Sequence, residues 1–175
     1  MLLCAIDPGL RHCSWSVFSN ATGQLLGAGL VKNPTKTGGG PEAWRSMAAE
    51  LYAHVKARHG LVGQLVLEGQ QIYQVGHRAG KIGADPNDLL ELAGVCGALC
   101  VVFEVAEASR VMPRQWKGTT DKTICQLRVT KRLSDLESVA ISWPGRAGKD
   151  SALAHNVYDA IGIGLWAVGR WSTSP

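Results

Sequence analysis

Apolar and polar positions alternate in a few distinct rhythms along the chain. Residues 2–7, "LLCAID", are an apolar run closing on Asp7, which predicts a buried strand. "HCSWSVF" (12–18) interleaves small polar and apolar residues as a half-buried strand does, and "NATGQ" turns the chain into a third strand at 25–31. Together these predict a three-stranded antiparallel meander. The segment 32–41 is too rich in Gly, Pro and Thr for regular structure and reads as a loop. Trp44, Met47, Ala48, Leu51 and Val55 then recur at helical spacing from Glu42 to about Arg58, with Gly60 placed to end the helix. "QLVLEG" (64–69) is a short buried strand whose run ends in Glu68 before a glycine, as the first ends in Asp7 before Pro8 and Gly9.

Asp85 and Asn87 around Pro86 supply cap chemistry for a helix from about Asn87 to Leu99, followed by a strand through 101–108. After a turn at Pro113, Thr119 or Thr120 is placed to cap a basic helix running towards Arg132, and Asp150 or Ser151 to cap a last helix over 152–171. The order predicts an α/β fold, with a mixed sheet of three antiparallel strands followed by parallel ones, flanked by helices. With 175 residues and no internal repeat, the expectation is one domain over 1–175.

Composition narrows the class. Five cysteines form an odd set without a C-x-x-C pair, which suits reduced thiols in apolar surroundings. Cys96 and Cys100 lie one helical turn apart but lack the further ligands of a zinc site. The C-terminal stretch "AIGIGLWAVG" is about half the ~20 residues that cross a bilayer, and the N-terminus lacks a signal-peptide charge pattern. The expectation is a cytoplasmic protein that engages no membrane. Net charge is +4, but the segment Arg110–Arg132 holds seven basic residues against one acid, Asp121. That asymmetry suggests a face for a polyanion, although an exposed basic helix has the same composition.

The strand-end acids carry the chemistry. An Asp-Pro-Gly sequence is ordinary turn chemistry, yet a carboxylate at the end of a buried strand is costly unless paired or metal-bound. Ligands of open α/β sheets bind beyond the carboxyl ends of the strands, where Asp7 and Glu68 converge if their strands are neighbours. Asp159 adds a third acid in the most apolar part of the last helix, and His155 and Asn156 share its helical face. Hard oxygen ligands suit Mg²⁺ or Mn²⁺, and an imidazole could orient or deprotonate an attacking water.

The succession of "AIDPG", "LVLEGQQIY" and "HNVYDAIGIGL", with "DPNDLLELAGVCGAL" and "MPRQWKG" between, resembles the phage-type RuvC-like Holliday junction resolvases of the ribonuclease H superfamily. The resemblance spans nearly the whole chain. It implies a ribonuclease H-like fold and a Mg²⁺-dependent endonuclease that resolves four-way or branched DNA by paired phosphodiester cuts as a homodimer, without a nucleotide cofactor. It implies Asp7, Glu68 and Asp159 as ligands of two Mg²⁺ ions, with Mn²⁺ able to substitute. The family often has an acid or histidine three residues before the last aspartate; here that position is Asn156, with His155 beside it.

On this reading Arg110, Arg114, Lys117, Lys122 and Arg128 contact phosphates, Trp116 offers a stacking surface, and Arg11 or His12 meets the phosphate being cut. The loop after Glu68 brings Tyr73, His77, Arg78 and Lys81 to the DNA, Tyr73 being the candidate wedge, or a tyrosine packing the loop. The alternatives are a nuclease of the same fold acting on RNA or RNA–DNA hybrids, an actin-like nucleotide-binding protein, and a catalytically silent DNA-binding module.

Overall fold

A computed structural model describes residues 1–35, 39–70, 85–145 and 151–171. Strands β1 (Leu2–Asp7), β2 (His12–Ser19) and β3 (Leu25–Lys32) form the antiparallel meander. Strand β4 (Gln64–Glu68) pairs parallel with β1, and β5 (Glu107–Val111) parallel with β4, giving the spatial order β3-β2-β1-β4-β5.

The period-two alternation of strand side chains divides this sheet into two cores. Cys4 and Ile6 of β1, Leu65 and Leu67 of β4, and Trp15 and Val17 of β2 face helices α1 (Pro41–His59) and α2 (Pro86–Phe103), meeting Met47, Leu51, Val95 and Leu99. Leu3, Ala5, Phe18 and Val66 face the other way, onto α4 (Lys122–Arg132) and α6 (Ala154–Ala167), where Val129, Val157 and Ile161 receive them. Two short helices, α3 (Pro113–Trp116) and α5 (Asp135–Val139), complete that side.

Three local assignments differ from the sequence reading. Residues 101–103 continue α2 rather than opening a strand, because Val95, Leu99 and Phe103 are spaced four apart and buried together; Glu104, at φ 46°, ends the helix. The following strand is β5, four of whose five residues are exposed at the sheet edge. Asp121, not Thr119 or Thr120, caps α4 by accepting from Thr123 N–H at 2.8 Å. Helix α6 starts at Ala154 without a side-chain cap, although Ser151 Oγ accepts from Leu153 N–H at 3.3 Å in the preceding turn. Asp150 lies outside the described residues.

Helix α2, with 18 residues at a mean hydropathy of 1.5, is long and apolar enough to cross a membrane by length and composition alone, which the sequence reading overlooked. In the fold it packs against α1 through Val95, Leu99 and Phe103, and leaves Leu90 and Val101 exposed.

One buried charge ties the far end together. Glu137, only 3 % exposed, accepts from Leu25 N–H at 2.8 Å and from Ser134 N–H at 2.8 Å, and pairs with Arg170. Burial pushes its carboxyl up, but the hydrogen bonds from Arg170, Ser134 and Leu25 outweigh that and bring it down to about 2. A depressed carboxylate stabilises the fold above its unfolded pKa of ~4.3, and this contribution is lost as pH falls through about 2. Glu137→Gln is therefore expected to lower the unfolding free energy at pH 7 by about 2–4 kcal/mol and to flatten the acid limb of a urea stability profile below about pH 4. An acid limb as steep as that of the unsubstituted protein would contradict this assignment.

Candidate active site

Asp7 shares strand parity with Leu3 and Ala5, and Glu68 with Val66, so both project from the sheet face that α6 covers. The β1–β4 register pairs Ile6 with Leu67, which places the two acids side by side at the carboxyl edge of the sheet. Asp159 of α6 comes down on the same edge, close enough for its charge to act on both Asp7 and Glu68.

Small residues make this approach possible. Ser14 Oγ and Ser16 Oγ of β2 donate to the α6 carbonyls of Asn156 and Ala160, each at 2.7 Å, and Ser14 Oγ also lies 3.5 Å from Asp7 Oδ2. A Cβ on Gly164 would stand 2.1 Å from the Phe18 ring, and one on Gly162 would stand 2.3 Å from the Trp116 ring. The glycines of "AIGIG" are thus clearance for the sheet and for one indole.

That indole belongs to the site. Pro113 opens α3, Gln115 Oε1 accepts from Met112 N–H at 2.7 Å, and Gly118, at φ 62°, ends the turn in the left-handed region that favours glycine. The turn sends Trp116, 1 % exposed, into the core, where its Nε1–H donates to Glu68 Oε1 at 2.9 Å. Trp116 therefore offers no face to a nucleic-acid base; it orients a carboxylate.

Lys117 also departs from the sequence reading. Its ammonium lies 3.4 Å from Glu68 Oε1 and 3.3 Å from Asp159 Oδ2, and 4.7 Å from the Trp116 ring centroid. All three carboxyls are nevertheless raised. Burial is the main cause for Asp7, reinforced by the charges of Glu68 and Asp159; for Glu68 and Asp159 burial outweighs the relief that Lys117 gives. Lys117 is raised in turn, because attraction to Asp159 and Glu68 exceeds the effect of its own burial. One ammonium under-compensates three acids, so the cluster has capacity for further positive charge. Among the described residues no three His, Cys, Asp or Glu side chains stand close enough to form a ready-made metal cage.

His155 and Asn156 occupy different positions. Asn156 lines a cleft of about 550 Å³ together with Asp7, Arg11, His12 and, from α2, Asp88 and Leu92. A smaller hollow of about 190 Å³ touches both Asp7 and Glu68. His155 stands within electrostatic reach of Asp159, and its Nδ1 is 2.7 Å from the Ala152 carbonyl. A carbonyl only accepts, so a neutral His155 in this contact carries its proton on Nδ1 and keeps the Nε2 lone pair.

The basic residues separate. Arg11 opens on the cleft, and Arg114 and Lys122 are exposed on the Lys117 side, Lys122 lowering Asp159. Arg128 is exposed but tied to Thr120 Oγ1 at 3.0 Å. Arg110 alternates with the core residue Val111 and so faces the α2 side, lining a groove with Cys96 and Cys100 and packing its stem against Gly69. Tyr73, His77, Arg78 and Lys81 lie outside the described residues. Sequence reasoning missed Ser14 and Ser16 as anchors of α6, the indole bond to Glu68, and the inward turn of Lys117; the adjacency of Trp and Lys before a glycine was the available signal.

No protein-family model matches the sequence, and no curated protein matches it. Solved structures do resemble the fold. RuvC of T. thermophilus, in complex with a Holliday junction substrate, aligns at a TM-score of 0.61 over 97% of this chain and 98% of its own, with 18% identity. The yeast mitochondrial Holliday junction resolvase Ydc2 aligns at 0.61 over 97% of this chain and 78% of its own, with 14% identity. The fowlpox virus Holliday junction resolvase aligns at 0.57 over 97% and 98%, with 13% identity. At these identities the likeness establishes the architecture: an open, mixed five-stranded sheet flanked by helices, as in RuvC.

Gly162→Ala is expected to force the Trp116 ring off α6, lowering stability by about 1–3 kcal/mol in urea and altering the near-ultraviolet circular dichroism of the buried indole. An unchanged aromatic spectrum and midpoint would show that the clearance is not needed.

Proposed function

We propose that this RuvC-like fold carries a metal-dependent endonuclease that resolves four-way or branched DNA junctions. The observation that carries the reading is the meeting of Asp7, Glu68 and Asp159 at the carboxyl edge of one sheet, with a net negative charge that Lys117 leaves incompletely balanced. The fold neighbours named for Holliday junction resolution support the substrate class.

The donor set fits a hard divalent cation: three carboxylates, all raised by burial and two of them, Asp7 and Glu68, also by neighbouring acid charge, beside an open cleft. Asp7, Glu68 and Asp159 would hold Mg²⁺ or Mn²⁺, two ions on the family resemblance. When bound, the metal supplies water activation and charge stabilisation at the leaving oxygen.

The chain's own groups do the remaining tasks. Arg11 and His12, on the cleft wall, hold the backbone phosphate next to Asp7. His155, with its Nε2 lone pair, accepts a proton from the attacking water, while Asn156 donates its amide to a phosphate oxygen or a water in the cleft. Arg114 and Lys122 extend the electrostatic track on the Lys117 side. Paired cutting of a junction needs two such sites, which a homodimer provides.

A synthetic four-way junction, compared with duplex, fork and RNA–DNA hybrid in Mg²⁺, tests the reading. Preferential, symmetric cleavage of the junction is expected; preferential cleavage of the hybrid would move the assignment to a ribonuclease H-type activity, and no cleavage of any substrate would favour a binding module. Asp7→Asn and Glu68→Gln should each reduce cleavage by at least about 10²-fold while junction affinity stays within a few-fold. Undiminished cutting by either variant would remove the metal site. Neutralising Arg114 and Lys122 together should weaken junction binding across sequences and reduce the salt slope by about one per lost phosphate contact. An unchanged slope would take these residues off the DNA.

A further inference from the structure

We propose that Lys117 is a resident stand-in cation: its ammonium holds Glu68 and Asp159 in the metal-free protein and must leave when a divalent ion enters. The inference rests on the metal-site reading above and adds to it a competition within the chain itself.

The geometry is the argument. Nζ sits 3.4 Å from Glu68 Oε1 and 3.3 Å from Asp159 Oδ2, so a single group bridges one acid from the sheet and one from α6. An ion binding both oxygens at the ~2.1 Å of a Mg–oxygen contact would have to occupy the space between them, and an ammonium at these distances cannot remain there.

The side chain has somewhere to go. Lys117 is 25 % exposed, on the last turn before Gly118, so its ammonium can swing outward into solvent, giving up its place 4.7 Å from the Trp116 ring centroid. Trp116 keeps its own bond to Glu68 Oε1 in either position, and therefore preserves the orientation of that carboxylate while the cation exchanges. A lysine at this point keeps one strand-borne and one helix-borne acid together when no metal is bound. The consequence is a reduced apparent metal affinity, in proportion to the fraction of molecules in which the ammonium is withdrawn.

The test measures Mn²⁺ binding to the full chain without DNA, by the electron paramagnetic resonance signal of free Mn²⁺ and by calorimetry. Lys117→Met and Lys117→Gln are each expected to bind Mn²⁺ about tenfold more tightly than the unsubstituted protein. Because removing the ammonium leaves the acids uncompensated, both variants should melt at a lower temperature in chelator and gain more from Mn²⁺ than the unsubstituted protein does. Adding Glu68→Gln to Lys117→Met should abolish the gain. Equal or weaker Mn²⁺ affinity in both single variants, with binding still dependent on Glu68, would overturn the stand-in assignment and leave the metal site intact. No saturable Mn²⁺ binding by the unsubstituted protein or by either variant would overturn both.

Discussion

Burying carboxylates together is the constraint around which this molecule is arranged. Asp7 and Glu68 end adjacent parallel strands on one face, and α6 lowers Asp159 onto the same edge. Each acid is pushed towards its protonated form by desolvation, so the edge can stay charged only if donors and cations are brought to it. One short segment supplies both kinds. The turn of α3 sends the Trp116 indole N–H and the Lys117 ammonium to the same oxygen of Glu68 from consecutive residues.

Close packing of α6 is the second half of the arrangement. Side chains normally hold a helix off its neighbours, but Gly164 lets α6 sit directly against Phe18 of the sheet and Gly162 lets it sit against the Trp116 ring of α3. Ser14 and Ser16 then reach carbonyls of the helix backbone directly, fixing its rotation and height. The rotation matters because Asp159 is only one residue from Ala160, whose carbonyl takes one of those bonds. Anchors and acid are thus neighbours on one turn.

Much of this was legible in the sequence, and the reasons are physical. Two apolar runs that each close on an acid before a glycine announce strand ends with a task, and an aspartate inside the most apolar part of the last helix announces a third. Helix α2 was harder: "VVF" suits a strand or a buried helix, and only the four-residue spacing of Val95, Leu99 and Phe103 against α1 decides it. Trp116 and Lys117 were harder still. An aromatic and a cation in a basic segment look the same whether they face DNA or the core, and the choice is made by a clearance at Gly162 more than forty positions away. Arg110 shows the same limit, since its face is set by the parity of an edge strand whose start was displaced by the length of α2.

The alternation of β1 and β4 has a consequence for how such a chain can change over evolutionary time. Substitutions within these strands alter packing locally and can be absorbed, and T. thermophilus RuvC has a similar fold at only 18% identity. An insertion or deletion of one residue between Ala5 and Asp7, or between Val66 and Glu68, is a different event. It would carry the acid through the plane of the sheet into the opposite core, among Met47 and Leu51, where neither Lys117 nor Trp116 can reach it. The strands bearing the acids are therefore a reading frame as much as a scaffold, tolerant in spelling and intolerant in length.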